Sequence, residues 1–240
     1  MNEPAAPLLV VEGLSAGYDE LPVLHDINLE VRRAEIVALV GSNGAGKTTL
    51  LRALSRVLPS TGSIMMNGHQ LARAEPDQAF ACGMVQVPEG RQLFDRMTIQ
   101  DNLLMGAYRR KDKAGIARDL DKVYGLFPRL SDRRRQLAGS MSGGEQQMCA
   151  MARALMAAPV LIMIDEMSLG LAPVVVEQLM GVLADIQREG VTTLLVEQDI
   201  HLALSIADRG YVMEAGRIVH SGAAKSLLID PKVQQAYLGV

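Results

Sequence analysis

The segment at residues 41–48 constrains the fold of this chain more than any other feature. Its sequence is G-S-N-G-A-G-K-T; it follows an apolar run at 36–40 and precedes helix-forming residues at 49–54. This spacing predicts a strand, a phosphate-binding loop and a helix, in which backbone N–H groups and the helix N-terminus surround a pyrophosphate. A glycine-rich turn beside an unrelated lysine is the alternative, and the flanking strand and helix disfavour it.

The side chains of this loop indicate what it would bind. Lys47 is expected to reach the β- and γ-phosphates of a nucleoside triphosphate, and the Thr48 hydroxyl is expected to bind Mg²⁺. Glycine is required where the backbone approaches an anion closely. The residues predicted to contact the nucleotide here are Gly41, Ser42, Asn43, Gly44, Ala45, Gly46, Lys47, Thr48 and Thr49.

Two adjacent carboxylates follow an apolar run at 160–164. The run is typical of a fully buried strand, so Asp165 and Glu166 are expected at its carboxyl end. Neighbouring carboxylates at a buried strand end repel each other unless a cation is present. Asp165 is predicted to hold Mg²⁺ through its water shell, and Glu166 is predicted to be the general base that activates an attacking water.

The segment M-S-G-G-E-Q-Q at 141–147 permits two interpretations. Ser142 and Glu145 have the spacing of a capping box that begins a helix. Ser142, Gly143 and Gly144 at a helix N-terminus also suit a second anion site, which would hold a phosphate through a hydroxyl and uncovered amides. The two interpretations are compatible.

Polar residues also follow two other predicted strands. Glu89 comes after the run at 84–87, and Gln198 comes after the buried run at 192–196. In open α/β sheets, ligand-contacting groups lie at the carboxyl ends of the strands. Tyr18, upstream of the phosphate loop, is equally suited to stacking on an adenine or to capping a sheet edge.

Composition restricts the class of protein further. The 240 residues are 49% hydrophobic, which suffices for one α/β domain with a helical insert. The net charge of −3 excludes a general basic surface for nucleic acid, and the basic run at 133–135 is interpreted as a solvated face. Neither a signal peptide nor a membrane span of roughly 20 apolar residues is expected from the sequence. Cys82 and Cys149 lack metal-binding or disulfide spacing and are expected to be reduced thiols.

The phosphate loop, the segment 141–147 and the buried strand ending in Asp165 and Glu166 occur in the order and spacing of ATP-binding cassette (ABC) ATPases, which the whole chain resembles. Segment 141–147 is the discriminating feature, because other phosphate-loop proteins lack it. More narrowly, nearly the full length resembles the LivF-type second ATPase subunit of high-affinity branched-chain amino acid importers. The segments that carry this narrower resemblance are V-P-E-G-R at 87–91, G-E-Q-Q-M at 144–148, S-L-G-L-A-P at 168–173, V-E-Q at 196–198 and A-Y-L-G at 236–239.

The resemblance implies an α/β fold, with a P-loop NTPase (RecA-like) core, an antiparallel β subdomain and an inserted α-helical subdomain. It implies a single ABC ATP-binding domain over 1–240, with the core at 1–92 and 157–240 and the helical subdomain at 93–156. ATP and Mg²⁺ are the implied ligands. Tyr18 would then stack on the adenine, and Glu89 would contact the nucleotide and the metal.

The same resemblance implies partners and a location. Ser142, Gly144 and their neighbours Gly143 and Glu145 would reach ATP bound to another cassette, in a head-to-tail dimer of two copies or of this chain with a sister ATPase. Two integral-membrane permease subunits would dock on the helical insert and on the loop that begins at Glu89. The chain would lie peripherally on the cytoplasmic face of the inner or plasma membrane, with an extracellular or periplasmic binding protein supplying the solute and no nucleic acid involved.

Several positions depart from the general cassette pattern. Glu89 stands where a glutamine is usual, Gln198 where a histidine is usual and Ala172 where an aspartate is usual, and LivF-type subunits share all three; Met167, in place of proline, is particular to this chain. Gln198 is predicted to act in catalysis by hydrogen bonding the γ-phosphate or water through its amide. His201 is a weaker candidate for that role, because it is expected to begin the following helix.

The functional alternatives at this level differ in class. A transport ATPase for branched-chain amino acids is favoured, with other amino acids, amides or urea as alternative solutes. A soluble ABC ATPase acting on nucleic acid or ribosomes is disfavoured by the absence of a second cassette, a coiled-coil insert and basic extensions. A nucleotide-binding partner without useful catalysis is disfavoured because Lys47, Thr48, Asp165 and Glu166 are all present.

Overall fold

The computed structural model describes residues 7–19 and 21–234. The segment at 236–239, which carried part of the resemblance, lies outside the described residues. The elements in chain order are β1 (Pro7–Tyr18), β2 (Leu21–Arg32), β3 (Ile36–Val40), α1 (Lys47–Leu54), β4 (Ser60–Met66), β5 (His69–Gln70), α2 (Pro76–Ala81), β6 (Met84–Val87), α3 (Ile99–Gly106), α4 (Lys113–Leu126), α5 (Pro128–Asp132), α6 (Gly143–Leu155), β7 (Leu161–Asp165), α7 (Pro173–Arg188), β8 (Thr192–Glu197), α8 (Ile200–Ile206), β9 (Arg209–Glu214), β10 (Arg217–Ala223), α9 (Ala224–Leu228) and α10 (Pro231–Val233).

A six-stranded sheet with the order β10-β9-β3-β8-β7-β6 forms the centre of the molecule. Its strands from β9 to β6 are parallel, and β10 pairs antiparallel with β9 at one edge. The strand β3 is buried along its whole length. Because side chains alternate between the two faces of a strand, Ile36, Ala38 and Val40 enter one core cluster, whereas Val37 and Leu39 enter the other. The sheet therefore carries a hydrophobic layer on each face.

A second sheet covers one of these layers. Its order is β2-β1-β4-β5, and every pairing in it is antiparallel. The helix α1 packs in the same cluster as this sheet. The helical segment between β6 and β7 joins the other cluster, where Leu103 of α3 and Met151 of α6 are buried with the sheet residues Ile162 and Ile164.

The predicted fold class is confirmed, including the antiparallel subdomain and the helical insert. The exact division into a core at 1–92 and 157–240 and a helical subdomain at 93–156 stays a prediction. Among the described residues, no helix is both long enough and apolar enough to cross a membrane.

Candidate nucleotide-binding site

The loop between β3 and α1 has the backbone of a phosphate-binding loop. Gly44 and Gly46 have φ values of 79° and 105°, in the left-handed region that favours glycine. Gly46 is the N-cap of α1, so the free N–H groups of the helix N-terminus open directly into the loop. The turn is held by a hydrogen bond from the N–H of Ala45 to the carbonyl of Ser42, 3.2 Å long. An anion placed here meets both backbone donors and the positive end of the helix dipole.

A cleft of about 450 Å³ lies over this loop. It brings together residues that the sequence placed on three separate segments: the phosphate loop, Glu89 after β6 and Glu166 after β7. Two apolar residues that the sequence analysis missed, Val23 and Leu169, also line it, and nothing in their local pattern distinguishes them from ordinary hydrophobic residues. The lining residues are Val23, Asn43, Gly44, Gly46, Lys47, Thr48, Thr49, Glu89, Glu166 and Leu169.

The ammonium group of Lys47 is held inside the cleft by three oxygen atoms. Its Nζ donates to the carbonyls of Gly41 and Ser42, at 2.9 and 3.2 Å, and lies 3.2 Å from Oε1 of Glu166. The Lys47 side chain is only 4% exposed. A buried ammonium requires such partners, and a phosphate would supply stronger ones. Lys47 is therefore positioned to exchange its contact with Glu166 for a nucleotide phosphate.

Asp165 is a buried carboxylate without a protein partner. It is 1% exposed, and neither of its oxygens has a hydrogen-bond partner among the described residues. Burial raises the pKa of Asp165 to about 6; the Thr48 hydroxyl, which lies near the carboxylate without forming a hydrogen bond to it, opposes this rise, and the charges of Glu166 and Glu89 increase it. An orphaned carboxylate beside a threonine hydroxyl is a donor set that suits Mg²⁺, whose other positions are taken by water and phosphate oxygens. No cluster of three or more His, Cys, Asp or Glu side chains suited to a metal ion occurs in residues 7–19 and 21–234.

Glu166 lies where the phosphate-loop cleft meets a second cleft. Its backbone has a φ of 47°, and its N–H donates to the carbonyl of Val196 at 2.9 Å. The second cleft, about 570 Å³ in volume, is lined by Glu166 together with Gln198 and His201. Both Gln198 and His201 are exposed. His201 lies in the first turn of α8, as expected, since the helix begins at Ile200 and its N-cap Asp199 accepts from the N–H of Leu202.

The segment 141–147 begins α6 with the predicted capping box. The Ser142 hydroxyl accepts from the N–H of Glu145, while the Glu145 carboxylate accepts from the N–H and Oγ of Ser142 at 3.0 and 2.9 Å. Glu145 also pairs with Arg133 at 2.9 Å. Although burial alone would raise the pKa of Glu145, the Ser142 hydrogen bonds and the Arg133 charge hold it below its usual range. The basic run is exposed, as expected, but Arg133 has this specific partner, which local sequence did not indicate.

The structure does not bring every predicted residue into one site. None of residues 141–147 lines the cleft over the phosphate loop. Tyr18 lies at the end of β1, partly exposed, where its hydroxyl accepts from Arg52 at 3.0 Å, and its ring does not line that cleft either. Contact of Tyr18 with adenine and of Ser142 with phosphate stays a prediction.

Comparisons with known proteins identify the family. The model of the ABC transporter family matches residues 24–168, more than half of the chain. This chain belongs to the ABC transporter family. It is an ATP-binding subunit of that family, and such subunits hydrolyse ATP to drive transport.

Individual ABC proteins are similar over nearly the full length. The high-affinity branched-chain amino acid transport ATP-binding protein BraG of Pseudomonas aeruginosa is 46% identical over 97% of this chain and 100% of its own. The probable branched-chain amino acid transport ATP-binding protein LivF of Archaeoglobus fulgidus is 32% identical over 95% of this chain and 97% of its own. The crystal structure of a nucleotide-free ATP-binding cassette from an ABC transporter superposes with a TM-score of 0.85, at 25% identity, covering 98% of this chain and all of that cassette.

Proposed function

We propose that this chain is the ATP-hydrolysing subunit of an importer for branched-chain amino acids. The observation that carries the catalytic part is the convergence of Lys47, Asp165 and Glu166 at one end of the parallel sheet. The solute is inferred from the likeness to BraG and LivF, whose names state branched-chain amino acid transport.

The proposed chemistry assigns one task to each side chain. The loop amides and Lys47 bind the β- and γ-phosphates, which releases Glu166 from its contact with Lys47. Glu166 then accepts a proton from the attacking water, while Gln198 orients that water or the γ-phosphate through its amide. Thr48 and Asp165 would hold Mg²⁺, with Glu89 at the edge of the same cleft; the ion would neutralise charge on the phosphates.

A second cassette would complete the site. Ser142 and Gly144 lie outside the phosphate-loop cleft, so their predicted contact with ATP requires another chain in a head-to-tail arrangement. Ser142 is exposed and heads a helix of thirteen residues, which suits it to an anion presented from outside. The partner is either a second copy of this chain or a sister ATPase.

Permease subunits would dock on an exposed apolar surface of the helical segment. This permease surface comprises Phe94, Leu104, Met105 and Tyr108, of which Phe94 is 48% and Tyr108 is 70% exposed. Large apolar side chains grouped on a surface mark interaction sites. The surface adjoins the loop that begins at Glu89, so a partner bound here would touch the segment that leads to the nucleotide.

Substitution of the proposed base tests the catalytic assignment. Glu166→Gln is expected to bind ATP and to lose hydrolysis by a factor of about 10² or more, since the amide cannot accept the proton from water. Nucleotide binding is measured by equilibrium titration and turnover by phosphate release. Glu177→Gln, at an exposed position of α7, is the matched control and should behave as wild type. Near-normal hydrolysis by Glu166→Gln would refute the assignment of the base.

Purification from the native host tests the transport assignment. The tagged chain should be recovered in membranes with two polytopic permeases and a second cassette, and its loss should abolish uptake of radiolabelled leucine, isoleucine and valine. Uptake of other amino acids, amides and urea is measured in the same deletion strain. If uptake of one of these falls while uptake of branched-chain amino acids does not, that compound is the solute. Recovery in the soluble fraction with ribosomes or nucleic acid would overturn the proposal.

A further inference from the structure

Glu197 is a buried carboxylate to which the proposed chemistry gives no task. It is the last residue of β8, immediately before Gln198, and is 2% exposed. No lysine, arginine or histidine of the described chain forms an ion pair with it. A buried charge without a cation is costly, so a carboxylate at this position requires an explanation.

Both oxygens of Glu197 bind the same residue, Ser168. The N–H of Ser168 donates to Oε1 at 3.0 Å, and its hydroxyl donates to Oε2 at 2.8 Å. Ser168 lies in the loop between β7 and α7, two residues after Glu166. Hydrogen bonds to an ionised acceptor are stronger than neutral ones, and a two-point contact also fixes orientation. Glu197 therefore holds this loop against the end of β8.

The backbone of the same loop is held at a second point. The N–H of Glu166 donates to the carbonyl of Val196, the residue before Glu197. Glu166 has a φ of 47°, a conformation that persists in residues other than glycine only when their surroundings impose it. The last two residues of β8 thus hold the loop at Glu166 and at Ser168, on either side of Met167.

We propose that Glu197 is a positioning residue, which fixes the carboxylate of Glu166 relative to Gln198 by holding Ser168. This inference rests on the proposed function, in which Glu166 is the general base. Glu166, Ser168, Glu197 and Gln198 all line the second cleft, so a displacement of the loop moves the base relative to the reacting water. A displacement of about 1 Å is enough to reduce a rate by about 10²-fold.

Two substitutions separate the hydrogen bonds of Glu197 from its charge. Glu197→Ala removes both bonds and is expected to lower kcat by about 10- to 100-fold, with the KM for ATP changed by less than about 3-fold. Glu197→Gln is expected to stay within about 3-fold of wild type. Its amide oxygen accepts from the Ser168 N–H, and its NH₂ group donates to the Ser168 hydroxyl.

Ser168→Ala tests the other partner and disturbs the interior less. It removes one of the two bonds and is expected to lower kcat by less than Glu197→Ala does. The double variant Glu197→Ala/Ser168→Ala should be no slower than Glu197→Ala alone, because the two single changes remove the same interaction. All variants are assayed as the full chain by phosphate release, with thermal unfolding measured in parallel. If Glu197→Ala does not fold, the test is carried by Ser168→Ala and Glu197→Gln.

Thr193→Val is the matched control on the same strand. Thr193 is fully buried, and its hydroxyl has no hydrogen-bond partner among the described residues, so the near-isosteric valine should leave kcat unchanged. The inference is overturned if Glu197→Ala keeps the wild-type kcat, if Glu197→Gln is as slow as Glu197→Ala, or if only KM rises. If Glu197→Ala is active and Glu166→Gln is inactive, only the positioning role of Glu197 is refuted. If Glu166→Gln is active, the proposed catalytic function is refuted as well.

Discussion

Asp165 combines complete burial with the absence of any hydrogen-bond partner in the described residues. The raised pKa of its carboxyl has the same origin, since water is excluded from the end of β7. Such a group destabilises the nucleotide-free fold. A divalent cation would compensate the negative charge of Asp165, so we interpret this carboxylate as a ligand prepared for Mg²⁺.

Asp165→Asn is therefore expected to stabilise the empty protein and to inactivate it. Removing the buried charge should raise Tm by several degrees in EDTA at pH 7.5, since about 1 kcal/mol shifts Tm by about 2–4 °C in a chain of this size. The same variant should lose Mg²⁺-dependent hydrolysis. Differential scanning fluorimetry and phosphate release measure the two effects, with the exposed Glu177→Gln as the control. A fall in Tm would contradict this interpretation.

The two cysteines should differ sharply in reactivity. Burial raises the pKa of Cys149 to about 12, whereas Cys82 is partly exposed. The Cys149 thiol thus stays protonated between pH 7 and 9.5, and the thiolate is the reactive form. In the unfolded chain the pKa returns to about 8.5, so alkaline pH favours unfolding through this group.

Iodoacetamide at pH 8 should accordingly modify Cys82 and leave Cys149 unmodified, as read by peptide mass spectrometry. In urea both cysteines should react, and their rates should rise together with pH. Rapid labelling of Cys149 in the folded protein would contradict this prediction and would show that local unfolding of α6 requires little free energy.

At the scale of elements, α6 begins where two segments meet, the segment 141–147 and the turn after α5. Ser142 caps the helix, Glu145 returns to bind Ser142, and Arg133 from the turn after α5 neutralises Glu145. Without Arg133, the uncompensated negative charge of Glu145 would lie near the position expected for the γ-phosphate of another cassette, and the two charges would repel each other. We therefore expect Arg133 to act together with the segment 141–147.

Arg133→Ala is expected to lower ATP hydrolysis several-fold while leaving ATP binding to the separate chain unchanged, because the phosphate-loop cleft is not altered. Turnover as a function of protein concentration measures the effect, since it reports on pairing of cassettes. Arg135→Ala is the matched control, as the described residues give Arg135 no ion-pair partner. Equal activity of the two variants would contradict the assignment.

At the scale of the whole molecule, Arg153 of α6 joins the loop that begins at Glu89, a residue of the nucleotide cleft, to Phe94 of the proposed permease surface. Its guanidinium donates to the carbonyls of Arg91 and Gln92, at 3.1 and 2.8 Å, and lies over the ring of Phe94. Arg91 and Gln92 both have positive φ values, so this loop holds a strained shape that Arg153 maintains. A partner that presses on Phe94 would act on the loop that begins at Glu89.

The double variant Phe94→Ala/Tyr108→Ala is expected to keep the ATP affinity of the isolated chain and to lose recovery with membranes. Both side chains are exposed, so the folded chain should retain its Tm within about 2 °C. Fractionation of the native host measures the association. Val219→Ala, at an exposed apolar position of β10, is the control and should remain bound. Unchanged membrane recovery of the double variant would place the permease contact elsewhere.

Local sequence was sufficient wherever a feature depends on neighbouring residues. The phosphate loop, the buried strand before Asp165 and the capping box of Ser142 are each written within ten residues, and all three are confirmed as structural elements. Backbone geometry at these places follows from glycine conformations, strand periodicity and short-range hydrogen bonds. The family resemblance carried the fold further, to the antiparallel sheet and the helical insert.

By itself, the sequence therefore determined the phosphate-loop pattern at residues 41–48, which predicts a nucleoside triphosphate site, and where the acidic residues follow the strands. Only the tertiary structure decided which distant groups meet. Lys47 contacts Glu166, Glu197 holds Ser168 from 29 positions away, and Arg133 neutralises Glu145. Contacts between distant residues depend on how the strands and helices pack. A single sequence indicates that packing only through its pattern of hydrophobic residues, and this pattern does not specify which polar side chains become partners.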